Sequence, residues 1–549
     1  MQNTNRSRMS RPSGSLVGTA GVCLAMGMAL PAGAVEVNTG IEDLTVRFDN
    51  TIKYNLGYRL DGRDSRIANT ATSDEGDYKF DRGDVVTNRV DLLSELEVDW
   101  QNRFGARASA AAWYDDAYED VSVKKNPNSV HTSYDNDSYS SYTKRFYRGP
   151  SGEILDAFVY GNFSLADRPV SVKAGKHVVY WGVSLFTQNG IANNQHPIDA
   201  KKSAATPGTE VRETFLPLNQ LSMQSQLTDN VSLAAQYYLD WDHIRVPEGG
   251  TYLGSADMLL NGPDALFYAD AAGFSMRRQD PIEPDKKHGN WGVNLKWTAP
   301  ELNATTFGLY YREFDEKNSF WLQTSPNPAT GSGFYRPVFA SNVKLYGISV
   351  DTTFDKYAVG AELVTRRGAS LNSTGVDRNN LQGARGNTYH ALVNTIVSLP
   401  STPFWDTGTV VGELTYDYLD KVTKNEALYK NADKCVYGKK EGCGTRDAVG
   451  FNLSFTPQYL GVWPSIDLSL PMTLGGGLHG NSAMGGVNEG AYSYSIGVEA
   501  DIRKQYKATL AWADSTADIK RQANGTYTGN GGWQTTDRGR ITLTLKTSF

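Results

Sequence analysis

From Arg89 to Gln101 the chain alternates with a period of two. Val90, Leu92, Ser94, Leu96, Val98 and Trp100 fall on one side, and Arg89, Asp91, Leu93, Glu95, Glu97, Asp99 and Gln101 on the other. Successive side chains of a strand point to opposite faces, so this segment is a strand with one apolar and one charged surface. The pattern restarts after Asn102, where Phe104, Ala106, Ala108, Ala110, Ala112 and Tyr114 oppose Arg103, Arg107 and Asp115. It returns at Trp291–Trp297, Thr305–Tyr311, Val449–Phe455 and Tyr492–Ile502. A tilted strand needs about ten residues to cross a bilayer, and these segments are of that length. Short connections near 101–103, 166–169, 228–230, 299–303, 354–356 and 503–505 alternate with long ones near 61–85, 116–153, 182–215, 243–288, 315–342, 369–385, 421–445 and 516–537. A soluble sandwich or propeller does not require that asymmetry, nor does it tolerate so charged an inner face without water inside. The expectation is an all-β, transmembrane antiparallel β-barrel of about 18 strands with long extracellular loops. Sixteen is the alternative, because Tyr389–Leu399 and Ile466–Leu474 alternate poorly.

Composition fits this reading. The 549 residues are 40% hydrophobic, with mean hydropathy −0.45, and no apolar run of about 20 residues follows the N-terminal region, as a spanning helix would need. Only every second residue of a barrel strand faces lipid, so a low average is expected. Residues 1–34 read as a signal peptide. Arg6, Arg8 and Arg11 precede an apolar stretch from Leu16 to Leu30, and Ala32-Gly33-Ala34 offers small residues for cleavage. Removing those three positive charges takes the formal charge from −6 to −9. A mildly acidic exterior argues against nucleic acid as a partner. Residues 35–549 then form a single barrel domain. Its two cysteines, Cys435 and Cys443, flank a polar, turn-forming segment and are expected to form a local disulfide in an exported chain.

The final strand runs from Arg540 to Phe549. Ile541, Leu543, Leu545 and Phe549 share one face, and Thr542, Thr544, Lys546 and Ser548 the other. It resembles the C-terminal insertion signal of outer-membrane barrels, with its terminal phenylalanine. That resemblance implies an outer-membrane location, contact with outer-membrane lipid, engagement of the barrel-insertion machinery, and periplasmic termini, which demand an even strand count.

One stretch departs from the strand pattern. It contains Gly175-Lys176-His177-Val178-Val179-Tyr180-Trp181-Gly182, Gly190-Ile191, Pro197-Ile198-Asp199 and Pro207-Gly208-Thr209-Glu210-Val211-Arg212-Glu213. It resembles a family of proteobacterial outer-membrane proteins catalogued as a domain of unknown function. The family pattern is a Gly-basic-x-Val-Val-x-Trp-Gly strand end, an Asn-Pro-x-Asp loop, and a Pro-Gly-x-Glu-x-x-Glu run. This chain has Gln195-His196-Pro197 where the family favours Asn-Pro. The resemblance implies an envelope role: a barrel paired with an inner-membrane transport system for hydrophobic or lipid-like compounds.

A connection as long as 182–215 is usually functional or folded inward. It is the candidate constriction or plug, with Asp199, Glu210, Arg212 and Glu213 expected to pair with charges on the lumen wall. The bland alternative is that these charges tether the loop to its own hairpin. Arg89, Arg107, Glu95 and Glu97 are expected to face the lumen as a wall of mixed sign, which pairs across strands and selects no ion. In the connection 243–288, Ser255–Leu260 is expected to form a short helix. Its apolar Leu259, Leu260, Leu266 and Phe267 would self-pack, cap the barrel mouth or meet an apolar ligand, self-packing being the first expectation. No H-E-x-x-H, G-x-S-x-G or phosphate loop occurs, so no cofactor, metal or catalytic residue is expected. The sequence therefore reads as a non-enzymatic outer-membrane channel for a small, hydrophobic or lipid-like molecule. A passive porin for small hydrophilic solutes is the alternative, ahead of a lipid-acting enzyme or an adhesion barrel.

Overall fold

The computed structural model describes residues 35–37, 39–186, 189–205, 211–269, 272–318 and 320–549. The signal-peptide segment 1–34 lies outside them. The alternating segments become the wall. Its first half is β1 (Leu44–Arg59), β2 (Val85–Trp100), β3 (Phe104–Asp115), β4 (Ser151–Leu165), β5 (Arg168–His177), β6 (Leu218–Thr228), β7 (Val231–Tyr238), β8 (Trp291–Ala299) and β9 (Thr305–Phe314). Its second half is β10 (Val343–Phe354), β11 (Tyr357–Ser370), β12 (Arg385–Leu399), β13 (Thr407–Lys424) and β14 (Asp447–Trp463). Then come β15 (Ile466–Ser469 continuing as Met472–His479), β16 (Tyr492–Ile502), β17 (Tyr506–Thr516) and β18 (Arg540–Ser548).

Each strand pairs antiparallel with its successor, and β18 closes the ring on β1 with Thr51 opposite Ser548 and Arg59 opposite Arg540. The wall is therefore a closed antiparallel barrel of 18 strands. The two segments that left the count open are both wall strands. β12 buries alternate residues from Thr388 to Asn394, and its register shifts lie upstream, near Arg385–Thr388. β15 is broken at Leu470-Pro471, since proline has no N–H to give to the ladder.

Closure leaves one face to lipid and one to the interior. On β2 the apolar Leu92, Leu96 and Trp100 are exposed, while the alternate Leu93 is buried. Leu309, Ile348, Leu363, Val393 and Leu510 are likewise exposed along the outer belt. Aromatic rings frame that belt, as interfacial girdles do. Trp100–Phe104 and Trp297–Phe307 stack near the short turns, and Tyr311–Tyr346 and Tyr494–Trp512 meet near the long loops. The tightest connections put both central residues at positive φ: Gln101-Asn102, Ala166-Asp167 and Arg503-Lys504. That turn geometry matches the right-handed strand twist. Both ends of the barrel domain lie at this short-turn end, where Phe549 and Asn50 exchange backbone hydrogen bonds of 2.8 and 2.9 Å.

Three details differ from the sequence reading. A ninth long connection, 480–491, follows β15, where Gly475-Gly476-Gly477 hides the strand end. Short connections also fall at 400–406 and 464–465. Ser255–Leu260 forms turns rather than a helix, because Gly254 and a left-handed Leu260 (φ 57°) break it. Leu260 and Leu266 are buried, and Leu266 packs with Met276 and Tyr335. The strands Ala265–Ala269, Phe274–Arg278, Phe320–Asn327 and Ser332–Phe339 form a small second sheet within two of the long connections. Cys435 and Cys443 are disulfide-bonded in the connection after β13.

Candidate functional site

The chain leaves the wall after β5 and crosses the interior, and two wall carboxylates hold it. Glu362 of β11 accepts the backbone N–H groups of Val183, Ser184 (3.0 Å) and Ile191 (2.7 Å). Glu413 of β13 accepts those of Leu185 (2.7 Å) and Phe186 (3.2 Å). Charged acceptors make strong bonds to backbone donors, and an irregular segment inside a barrel has no other ladder to satisfy it. The close approach requires glycine. Gly182 has φ +95°, and a side chain there would strike the Glu362 carboxylate; a Cβ on Gly190 would lie 2.5 Å from its other oxygen. Ile191, wholly buried, then packs with Trp181, Tyr310, Phe314, Leu345 and Val364. The Trp181-Gly182 and Gly190-Ile191 pairs of the unusual stretch are thus the jaws of one clamp.

Other wall residues complete the attachment. Arg312 of β9 donates to the carbonyls of Ile191 (2.8 Å) and Asn193 (2.6 Å). Arg366 of β11 donates to Asn189 (3.1 Å), and Asn394 of β12 to Val183 (2.7 Å). Gln195 bonds the N–H of Trp181 and the side chain of Gln236 on β7. The segment therefore touches wall strands around much of the ring.

Of the residues expected at this site, Glu213 pairs with a wall charge, Lys53 of β1, at 2.9 Å. Asp199 is buried but meets Arg245 at 3.5 Å, and Arg245 belongs to the connection after β7 rather than to the wall. This corrects its expected wall partner: the ion-pair partner lies on a neighbouring loop, and a parallel bridge between Asp199 and Arg245 joins the two loops. Glu210 lies outside the described residues, and Arg212 falls in the short helix Val211–Thr214. Arg107 meets Glu95 (2.5 Å), Glu97 (3.9 Å) and Asp156 (3.7 Å) across β2, β3 and β4. Arg89 pairs with Asp91 of its own strand at 2.8 Å, not across strands. Glu362, Glu413, Arg312 and Arg366 escaped the sequence reading. The available signal was a single charge inside an apolar run, as in Gly360-Ala361-Glu362-Leu363 and Gly412-Glu413-Leu414.

Opposite the clamp, the interior stays open. A cavity of about 720 Å³ lies between the crossing segment and the wall of β13–β17. Its wall side is small and polar, including Thr415, Gly450, Asn452, Gly475, Ser493 and Ser515. Asn189, Asn193 and Asn194 of the crossing segment face it, and Glu316 and Arg366 bring charge to its edge. A second, smaller cavity of about 60 Å³ lies on the other side, beside β2 and β3.

Buried ionisable groups gather in the loops above. Glu75 and Asp257, both buried, are held well above the ordinary carboxylate range by burial, and Asp74 beside them is raised for the same reason. Glu75 accepts the Ser133 hydroxyl at 2.6 Å, and Asp74 accepts the Asn126 N–H at 2.7 Å, so this cluster ties the loops after β1, β3 and β7. Within the wall, His390 of β12 and Asp417 of β13 form a buried pair at 2.7 Å. The Asp417 partner was not evident from the sequence.

An apolar outer belt, a polar interior and a segment crossing the lumen define a transmembrane β-barrel. The chain belongs to the family described as protein of unknown function (DUF1302), whose model matches residues 15–549. No curated protein sequence matches it. Similar solved structures include the outer membrane channel DcaP of Acinetobacter baumannii, at 10% identity, 92% of this chain, 97% of that chain and a TM-score of 0.36. Acinetobacter baumannii OccAB4 is similar at 9% identity, 92% and 98% coverage and a TM-score of 0.41. Pseudomonas aeruginosa OpdK, solved with vanillate, is similar at 8% identity, 92% and 98% coverage and a TM-score of 0.39.

Proposed function

We propose that the protein conducts small polar solutes across the outer membrane, with residues 182–215 as the constriction and both termini in the periplasm. The observation that carries this reading is the cavity of about 720 Å³, walled mainly by amides, hydroxyls and glycines, with Phe186, Ile244, Phe451, Met484 and Tyr492 among them. Polar solutes exchange hydration for such groups at little cost, whereas a lipid-like molecule gains nothing from them. The lining therefore favours the hydrophilic conduit over the hydrophobic one that the family resemblance implies. The clamp at Glu362 and Glu413 supports a fixed constriction rather than a free loop, because five backbone donors end on two carboxylates.

The test is electrical. Deleting 190–206 and recording single channels in planar bilayers is expected to raise conductance, and unchanged conductance would sink the constriction. Liposomes holding the intact protein are expected to swell in small sugars and to leave the uptake rate of a hydrophobic probe unchanged.

A further inference from the structure

The smaller cavity sits between β2, β3 and the short helix Ala200–Ala205 of the crossing segment. Its walls are apolar and aromatic: Val86, Trp113, Phe146, Tyr147 and Leu253. Each charged side chain on its lining has at least one hydrogen-bond partner, with one exception, although Arg540 keeps a buried Nε without one. Arg89 is paired with Asp91 (2.8 Å), Lys202 with Glu153 (3.3 Å), and Arg540 donates to the carbonyl of Ala204. Asp115 is taken up by Thr87 (3.0 Å) and the N–H groups of Asn88 (2.9 Å) and Ala117 (3.1 Å). Asp199 accepts the Lys202 N–H at 3.1 Å and meets Arg245 at 3.5 Å.

The exception is Lys201. It is 8% exposed, and its Nζ has no hydrogen-bond acceptor among the described residues. It lies 3.7 Å from the centre of the Phe146 ring, a cation–π contact that leaves its three N–H donors unanswered. Glu248 is also buried and accepts from Asn261 (3.0 Å) and Gly262 (2.7 Å) through Oε2; its Oε1 has no hydrogen-bond partner, and it attracts Lys201 without an ion pair among the described residues. A buried ammonium without an acceptor is costly, so a site that holds one favours an anion.

We propose that this cavity is a binding site for a short-chain monocarboxylate, its carboxylate on Lys201 Nζ and its carbon chain against Trp113 and Phe146. One ammonium without a hydrogen-bond acceptor calls for a monoanion, and the aromatic walls call for an apolar body. Size sets the chain length. One water needs roughly 10–15 Å³ of such space, so a cavity of about 60 Å³ holds a ligand of about four to six heavy atoms, such as propionate.

The inference stands apart from the conduit reading, because binding is measured at equilibrium on intact, detergent-solubilised protein with no transport step. Ligand-observed saturation-transfer NMR with propionate is expected to give saturable binding. Lys201→Met, which keeps the packing volume, is expected to weaken it about tenfold or more, as loss of a charge-assisted hydrogen bond does. Propionamide, equal in shape but uncharged, is expected not to compete. Heat-modifiable migration of the variant on gels checks that the barrel is intact. Absence of binding to the natural protein, equal binding by the variant, or competition by propionamide overturns the proposal. So does full competition by equimolar chloride, which would mark a site for any small anion.

Discussion

The two sides of the lumen are built from the same alternating strands, yet one is filled and the other open. Inward positions of β9–β13 carry long side chains: Tyr310, Arg312, Glu362, Arg366, His390 and Glu413. Inward positions of β14–β17 carry Gly450, Asn452, Gly475, Ser493 and Ser515. The strand geometry is common to both. Side-chain reach alone decides where the crossing segment docks and where solvent remains. The path through the barrel is thus set by small residues on one wall and by anchors on the other.

Breaking the anchored side has the largest expected effect. Glu362→Ala leaves three backbone N–H groups of the crossing segment without their acceptor. At about 1–3 kcal/mol for each buried unsatisfied donor, the expected loss is about 3 kcal/mol or more in urea unfolding. Single-channel conductance should rise and become noisier as the segment detaches. Glu362→Gln, which keeps one acceptor oxygen, should fall between the two. A Glu362→Ala channel as quiet as the natural one would show that the clamp does not position the segment.

The open side is tested by filling it. Ser493 is exposed on the cavity wall, so Ser493→Trp should reduce conductance by roughly half while unfolding is unchanged. Equal conductance would place the path elsewhere in the barrel.

The loop cap should respond to pH, independently of either wall. Burial raises Glu75 and Asp257, so the folded cap binds protons that the unfolded chain releases at lower pH. Their contribution is most favourable below the ordinary carboxylate range and is lost as pH rises through the raised values. Trypsin cleavage within 64–79, divided by the rate on the denatured chain at the same pH, should therefore be greater at pH 8.5 than at pH 6, and Glu75→Gln should reduce the difference. The smallest expected effect is that of Cys435→Ser. Opening a loop of this length removes about 2.5 kcal/mol of local constraint on the chain-entropy model. It should loosen the connection after β13 and leave conductance unchanged.

Much of the wall was legible in the sequence, because strand alternation is local and repeats. Arg89–Gln101 and Tyr492–Ile502 could be phased from their own residues. The final strand fixed its phase in the same way: Thr542 and Thr544 are buried inward, and Leu545 is exposed. The anchors were not legible, since Glu362 and Gly182 meet only after the chain has crossed the lumen. Asp199 shows the same limit. Its charge was picked out, but its partner Arg245 comes from a loop whose path no local pattern specifies. Lys201 was hidden for another reason: among neighbouring lysines, only burial distinguishes it.

The seam between β1 and β18 has a consequence for assembly. It consists of nine residue pairs, from Thr51–Ser548 to Arg59–Arg540. The lower part of β1 is instead covered by Val35–Val37, which pair with Val46, Arg47 and Phe48. Three residues of the first strand's outer edge are thus shielded by upstream residues, while nine wait for β18. Until β18 is in place, the wall is an open sheet with two exposed edges, those of β1 and β17, ready to template another strand. Loss of β18 therefore converts a closed wall into an aggregation nucleus, however intact its other strands.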